Sequence, residues 1–283
     1  MMREKANTYT ANDIKISYHD HGAGQPLVML HGFGSSSYSW RHVTTGLSGG
    51  FRLISIDLKG FGLSEKPLDE HYTAEDQADI VIGFINEHDL NDVVLIGHSL
   101  GGAVALVAGL KEKETGIGRI TRMVLIAAAS FNQKLPFFIR ILRTPILKYF
   151  PRVLLPAAVT AKMMLKKAFY DDTKVTEDMI EKYAGCLYLP GAYHALTMTA
   201  EKIIPENIGE ITGKYPSIDI PALLIWGGRD EIVPLEVGKR LEGALRNAKL
   251  HVIQDCGHIP QEECPEQTID IMERFLAEPV AER

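Results

Sequence analysis

Residues 93–110 have the sequence Val-Val-Leu-Ile-Gly-His-Ser-Leu-Gly-Gly-Ala-Val-Ala-Leu-Val-Ala-Gly-Leu, and this stretch decides the fold. Its first four residues are a short apolar run of the kind found in buried strands. Residues 100–113 are rich in Ala, Leu and Val, which predicts a helix. The glycine-rich segment between them is therefore expected to be a sharp turn from a strand into a helix.

The same arrangement repeats on both sides of this stretch. Short apolar runs alternate with helical patterns, and this alternation is typical of a mostly parallel sheet covered by helices on both faces. Residues 8–20 alternate more weakly and predict one or two edge strands. The other apolar runs are 27–30, 51–56, 120–128, 222–226 and 250–253, and the other helical patterns are 73–88, 234–246 and 265–277. We therefore expect an α/β fold.

Reactive or polar side chains follow the predicted strands. His31, Asp57, Ser99 and Asp230 each come within four residues of the end of an apolar run, and His258 follows the last run by five. The carboxyl ends of parallel strands meet at one edge of a sheet, where ligands bind in folds of this kind. We therefore expect these side chains to lie near one another.

Ser99 stands in a Gly-x-Ser-x-Gly pattern at residues 97–101. Glycines two positions before and after a serine give a tight turn the space that it needs, so the hydroxyl projects into the site above a helix N-terminus. The alternative is a strand-to-helix turn with an incidental serine. Neither G-x-G-x-x-G nor G-K followed by Ser or Thr occurs, which disfavours a phosphate-binding loop.

A serine hydroxyl becomes a strong nucleophile only when a base, oriented by a third group, removes its proton. Asp230 follows the predicted strand 222–226, and His258 follows the next strand. The chain order Ser, Asp, His is the one expected for this sheet topology. Glu231 and Asp255 are rival acids. The structural alternatives are a turn or helix-cap residue for Asp230 and a hydrogen-bonded loop residue for His258.

The segment His31-Gly32-Phe33-Gly34 also ends a predicted strand. Glycines at this place let the main chain approach a ligand closely. The main-chain N–H groups of Phe33 and Leu100 are predicted to form the pocket that stabilises the oxyanion of a tetrahedral intermediate. The alternative is a strand-ending turn that binds nothing.

These segments together resemble the α/β-hydrolase fold superfamily with a helical cap. The resemblance covers residues 8–129 and 218–278, and it depends on the motifs at 31–34, 57–64, 97–102, 227–230 and 257–258. It implies Ser99 as the nucleophile, Asp230 as the orienting acid and His258 as the base. It also implies the amides of Phe33 and Leu100 as the oxyanion hole, and a structural loop without catalytic role at 57–64. The residues expected to support the site are His31, Gly32, Gly34, Gly97, His98 and Gly101.

The resemblance also narrows the reaction. Haloalkane dehalogenases and epoxide hydrolases of this superfamily have Asp where this chain has Ser99, and epoxide hydrolases usually have Pro where it has Gly34. What remains is a serine hydrolase without metal or organic cofactor, and our main prediction is cleavage of a carboxylic ester through an acyl-enzyme. One alternative is C–C bond hydrolysis of a diketo acid, for which Arg41 is a candidate cation. The others are a cofactor-free haloperoxidase or perhydrolase-like enzyme and a ligand-binding member of the fold.

Residues 130–217 interrupt the alternation, because they contain no clear strand and several prolines. We predict a helical cap there, inserted after the sixth strand into a core formed by residues 1–129 and 218–283. Residues 131–170 carry eight Lys or Arg and no Asp or Glu. We expect these cations to be solvated or paired with the acidic core, and contact with an anionic membrane surface is the less favoured interpretation. The methionines predicted to fill gaps around an apolar acyl pocket are Met163, Met164, Met179 and Met198.

Composition sets the remaining limits. The 283 residues are 46% apolar and 23% charged with a net charge of −6 at pH 7, which excludes a disordered chain and disfavours a nucleic-acid binder. No run of about 18 apolar residues predicts a membrane span, and no signal peptide is visible. The three cysteines suggest neither a disulfide framework nor a metal site. We therefore expect a cytoplasmic enzyme that acts on a small molecule.

Overall fold

A computed structural model describes residues 6–144 and 156–279. Eight strands form one sheet with the order β1-β2-β4-β3-β5-β6-β7-β8. β1 and β2 are antiparallel to their neighbours, and all the other pairs are parallel. The strands are β1 (Asn7–Ala11), β2 (Ile14–Gly22), β3 (Gln25–Leu30), β4 (Phe51–Ile56), β5 (Val93–His98), β6 (Ile120–Ile126), β7 (Ala222–Gly227) and β8 (Ala248–Ile253). The mostly parallel sheet predicted from the sequence is confirmed.

One detail of the sheet differs from the prediction. Residues 8–20 were expected to give edge strands only, but β2 lies between two partners. Ile16 of β2 pairs with Tyr9 of β1, and Tyr18 of β2 pairs with Ile56, the last residue of β4. β2 is nine residues long, so it has the length to pair with both neighbours. β1 alone is the edge on this side.

Helices cover both faces of the sheet and create two apolar cores. The helices of the described chain are α1 (Arg41–Gly46), α2 (Ala74–Glu87), α3 (Leu100–Thr115), α4 (Phe137–Leu142), α5 (Ala157–Ala168), α6 (Glu177–Leu187), α7 (Ala192–Lys202), α8 (Ile208–Gly213), α9 (Leu235–Ala244), α10 (Pro260–Glu263) and α11 (Pro265–Ala277). α2, α3 and α9 pack on one face, and α1 and α11 pack on the other. Alternate residues of β3 to β8 enter the two cores, as Val28 and Met29 of β3 do. This double burial explains why the central strands are continuous apolar runs.

The described residues between β6 and β7 form helices and no strand, in agreement with the helical pattern of the sequence. α5 and α6 have a small core of their own, in which Leu165, Ile180 and Ala184 contact Ile259 from the loop after β8. These helices therefore rest directly on one of the loops at the carboxyl edge of the sheet. None of the helices in the described chain is both long and apolar enough to span a membrane.

The cations of residues 131–170 divide into two groups. The three lysines of α5 pair with acids: Lys162 with Glu177, Lys166 with Asp172, and Lys167 with Glu231. The three cations around α4 are exposed, and none forms an ion pair with a described residue; they are Lys134, Arg140 and Arg143. Lys148 and Arg152 lie outside the described residues. Only Lys167 thus pairs with the core, as expected, because Glu177 and Asp172 belong to the 130–217 segment itself. The cations around α4 follow the expectation of solvated charges.

Replacing Gly101 with alanine is expected to lower the free energy of unfolding by about 1–3 kcal/mol. The new methyl group would lie 2.7 Å from the carbonyl oxygen of His31 and closer still to that of Leu30, and main-chain atoms cannot rotate away. Urea unfolding followed by tryptophan fluorescence measures the change. Gly243→Ala in α9 is the control, because no atom lies within 4 Å of its added methyl group. Equal effects of the two substitutions would contradict the packing argument.

Candidate active site

Ser99 lies in the turn between β5 and α3, in a main-chain conformation that side chains rarely adopt. Its φ is +52° and its ψ is −111°. Hydrogen bonds from Ser99 N to Ile126 O (2.9 Å) and from Ala129 N to Ser99 O (3.0 Å) hold it there. A Cβ atom on Gly97 would lie 2.7 Å from Gly102 N, so the close approach of two main-chain segments requires glycine. The turn therefore presents the hydroxyl at the edge of the sheet.

Three side chains that are far apart in the sequence meet at this turn. Ser99 Oγ lies 3.0 Å from His258 Nε2, and His258 Nδ1 lies 2.8 Å from Asp230 Oδ2. His258 and Asp230 are buried, and Ser99 is half-buried. Because a carboxylate only accepts hydrogen bonds, Nδ1 carries the ring proton and Nε2 is free to accept the serine proton. The three groups can thus remove a proton from the hydroxyl as its oxygen attacks an electrophile.

The main chain around Asp230 fixes its carboxylate. Oδ1 accepts the N–H groups of Ile232 at 2.8 Å and Val233 at 2.9 Å, which leaves Oδ2 for the imidazole. The rival acid Glu231 instead pairs with Lys167 at the surface. The local turn therefore selects one of two consecutive acidic residues for the imidazole.

Both main-chain polar groups of His258, its N–H and its carbonyl, form hydrogen bonds. Its main-chain N–H donates to the carbonyl of Ala168, at the end of α5, at 2.6 Å. Its carbonyl accepts a hydrogen bond from His98 Nε2 at 2.9 Å, and the two rings lie 4.9 Å apart. Burial, together with the neighbouring His258, holds the pKa of His98 well below its usual value. His98 is therefore a neutral ring that donates from Nε2 and positions the main chain of His258.

Two main-chain N–H groups near Ser99 have no partner among the described residues: that of Leu100 next to it in the chain, and that of Phe33 in the loop after β3, whose Gly32 approaches Ser99 closely. Neither the N–H of Phe33 nor that of Leu100 donates a hydrogen bond to a described residue. For Leu100 this follows from its place in the first turn of α3, where N–H groups have no partner within the helix. His31 fixes the loop, because Nδ1 donates to Gly32 O at 2.8 Å and Nε2 accepts Leu58 N at 3.0 Å. Burial lowers the pKa of His31 and keeps its ring neutral.

A pocket extends from Ser99, and its volume is about 1140 Å³ when the open solvent at its mouth is included. Ser99, Ala103 and Val107 line it at intervals of four residues, so it follows α3 for two turns, about 12 Å. No Lys, Arg, Asp or Glu is among the described residues that line it. Among all the described residues, no group of three or more His, Cys, Asp or Glu side chains could hold a metal ion. The walls are largely apolar and include Phe131, Leu135, Phe138, Ile139, Leu165, Ile203, Ile204, Ile208, Ile211 and Ile232.

The prediction for the methionines is wrong for three of the four. Met164 lines the pocket, and its methyl group lies 3.2 Å from the place that a Cβ atom on Gly34 would take. Met163 is exposed, and Met179 and Met198 are buried away from the pocket. Helical spacing places these side chains on different faces of α5, α6 and α7, which residue type alone does not reveal.

A chain of polar groups that the sequence did not predict connects the pocket with α10. Ser35 Oγ donates to the Tyr183 hydroxyl at 3.2 Å, and Tyr183 donates to Glu262. Glu262 is buried and also pairs with Arg41. Burial raises the pKa of Glu262, and the guanidinium of Arg41 opposes that rise. Arg41 is therefore engaged by protein and does not fit the role considered above, that of a free cation for a substrate carboxylate.

Comparisons with known proteins agree with this architecture. The family described as "Alpha/beta hydrolase family" matches residues 27–271. This chain belongs to that family. An uncharacterized hydrolase of Bacillus subtilis strain 168, YugF, is 32% identical over 272 residues, covering 95% of this chain and 96% of the relative.

Two further relatives of this α/β-hydrolase carry more specific names. The 2-hydroxymuconate semialdehyde hydrolase of Pseudomonas sp. strain CF600 is 27% identical and covers 95% of this chain and 92% of its own. The solved structure of a mutant of CumD, the meta-cleavage product hydrolase of Pseudomonas fluorescens IP01, superposes with a TM-score of 0.80. It is 25% identical and covers 95% of this chain and 97% of its own.

The stability of this α/β-hydrolase is expected to fall on acidification partly because of His98. The folded state lowers the pKa of this buried ring, so between that lowered value and 6.5 the unfolded state binds more protons. The stabilisation is complete above 6.5 and is lost as the pH falls. Urea unfolding between about pH 8 and 5.5 should show the wild type losing about 1 kcal/mol relative to His98→Gln. A constant difference between the two proteins would contradict the assignment.

Proposed function

We propose that this α/β-hydrolase cleaves carboxylic esters with an apolar acyl chain, through an acyl-enzyme on Ser99. The observation that carries the proposal is the pairing of two features. Ser99, His258 and Asp230 lie within hydrogen-bond distance in series, and their hydroxyl end opens into a long pocket without a charged side chain among its described lining residues. The first feature supports acyl transfer, and the second supports a neutral substrate.

In the acylation step, Ser99 Oγ attacks the ester carbonyl while His258 Nε2 takes its proton. Asp230 holds the other ring nitrogen and stabilises the imidazolium that forms. The negative charge on the carbonyl oxygen is stabilised by the N–H groups of Phe33 and Leu100, which have no acceptor among the described residues. Collapse of the intermediate breaks the bond to the alcohol, which receives the proton from the imidazolium.

Deacylation repeats these steps with water in place of the serine. His258 removes a proton from the water as its oxygen attacks the acyl carbon, and Ser99 then leaves as the hydroxyl with that proton. Meanwhile the acyl chain occupies the pocket along α3, whose apolar walls lower its free energy by excluding water. The product is a carboxylic acid.

C–C bond hydrolysis of a ring-cleavage product is the second candidate, favoured by the names of the two Pseudomonas relatives. Such a diketo acid carries a carboxylate, and an unpaired carboxylate is costly to bury. The described pocket walls offer no cation, and Arg41 is paired with Glu262. The polarity of the pocket therefore supports the ester over the diketo acid.

Ser99→Ala is expected to lower kcat for p-nitrophenyl esters by about 10⁴-fold or more while leaving the melting temperature nearly unchanged. A fluorophosphonate probe should label the wild type and not the variant, since it reports the activated hydroxyl itself. Lys239→Ala, an exposed change on α9, is the control and should be labelled like the wild type. A wild type that resists labelling, or faster turnover of a diketo acid than of any ester, would exclude the proposed reaction.

Val107→Phe is expected to shorten the pocket two helical turns from Ser99. The ratio of kcat/KM for a dodecanoyl ester to that for a butanoyl ester should fall by about tenfold. Val159→Phe on α5 is the matched control, because Val159 is 40% exposed and does not line the pocket. A chain-length preference that is the same in all three proteins would show that acyl chains do not bind along α3.

A further inference from the structure

Glu263, the last residue of α10, uses its carboxylate to join two parts of the molecule. Oε2 accepts the N–H of Gly257 at 2.7 Å, immediately before His258. Oε1 accepts the N–H groups of Tyr170 at 3.0 Å and Asp171 at 2.8 Å, which follow α5. The residue is 2% exposed. One buried side chain thus binds the main chain that follows α5 and the main chain of the loop that carries His258. α5 is one of the helices α4 to α8 between β6 and β7, which we call the inserted helices.

Other contacts converge on the same junction. The carbonyl of Glu263 accepts a hydrogen bond from Lys174 Nζ at 2.9 Å. A Cβ atom on Gly257 would lie 2.7 Å from Tyr170 N, so the two main-chain segments are in direct contact. The hydrogen bond from His258 N to the Ala168 carbonyl, described above, lies within this contact. The inserted helices therefore hold the peptide unit of His258 from one side.

A buried carboxylate is stable only when its oxygens accept hydrogen bonds or pair with a cation. If residues 168–171 move away, Glu263 loses two of its donors and the N–H of His258 loses its acceptor. Consequently, the carboxylate of Glu263 and the N–H of His258 have all these hydrogen-bond partners only when residues 168–171 lie against the His258 loop. The energetics of docking and the position of His258 are thus coupled.

We propose that Glu263 is a positioning residue, which docks the inserted helices on the His258 loop and so holds the imidazole in line with Ser99. The inference rests on the proposed function, because it concerns the same hydroxyl and ring. Displacements of about 1 Å in catalytic groups can cost about 10²-fold in rate. Loosening this junction therefore affects the chemical step more than substrate binding.

The test uses Glu263→Gln, which keeps the size of the side chain. An amide has one oxygen and one NH₂ group, so one of the two sets of main-chain N–H groups would face another donor. We expect kcat per active site to fall at least about tenfold, with KM within about threefold of the wild type. The rate of fluorophosphonate labelling should fall in parallel. Hydrogen exchange at residues 168–171 and 257–258 should become faster.

Lys167→Ala is the matched control. It removes the ion pair between Lys167 of α5 and Glu231. This ion pair also joins the inserted helices to the rest of the molecule, because Glu231 lies in the loop after β7. The two side chains are 52% and 67% exposed, and the pair does not touch the His258 loop. Exposed pairs contribute little to stability, so kcat and the hydrogen exchange of the junction should remain those of the wild type.

Glu263→Asp provides a second variant in case the glutamine protein does not fold. It keeps the charge and shortens the reach by one methylene group, so we expect the same pattern with a smaller loss of kcat. The proposal is overturned if kcat per labelled site stays within twofold of the wild type, whatever happens to the melting temperature. It is also overturned if kcat falls while exchange at the junction is unchanged. A wild type that is never labelled would instead exclude the proposed function, and exchange would still report whether Glu263 docks the helices.

Discussion

The structure depends on the absence of side chains at Gly97 and Gly101. With these two glycines, the end of β5 and the start of α3 pass so close to the neighbouring main chain that a Cβ atom at either position would overlap it. This contact forces Ser99 into its positive φ and points its hydroxyl out of the turn. The strain is balanced by close packing of buried strands on both sides. The reactive group is thus positioned by main-chain geometry, which is less easily displaced than a side-chain rotamer.

In the rest of the site, Asp230 and His258 are held by hydrogen bonds from neighbouring groups. The parallel strands bring Asp230, His258 and the loop of Phe33 to one edge, but proximity alone does not orient them. Orientation comes from three main-chain groups and one side chain: two N–H groups donate to Asp230, the Ala168 carbonyl accepts from His258 N, and the imidazole of His98 donates to the His258 carbonyl. Few of these groups are free to reorganise, which is the condition for electrostatic stabilisation of a developing oxyanion.

The sequence was sufficient for features that local rules decide. The apolar runs, the glycine spacing around Ser99, and the place of Asp230 and His258 after their strands all follow from pattern and topology. It was insufficient where a side chain's partner is set by packing between distant helices. Nothing near Glu263 distinguishes it from a solvated acid, because two of its donors, Tyr170 and Asp171, lie about ninety residues earlier. The inward position of β2 was missed because its second partner, β4, lies beyond β3 in the sequence and no local pattern reveals that pairing.

The walls of the pocket, as well as the arrangement of Ser99, His258 and Asp230, decide which molecules can bind. Transferring a carboxylate from water into an apolar pocket costs several kcal/mol unless a cation or several N–H groups receive it. Here the described walls provide neither a Lys nor an Arg, and the nearby Arg41 is neutralised by Glu262. The desolvation cost would weaken binding of an anionic substrate in the ground state and in the transition state alike. KM would therefore rise and kcat/KM would fall. Under the proposed function, the preference for a neutral acyl group is therefore set by the walls, independently of the reactive residues.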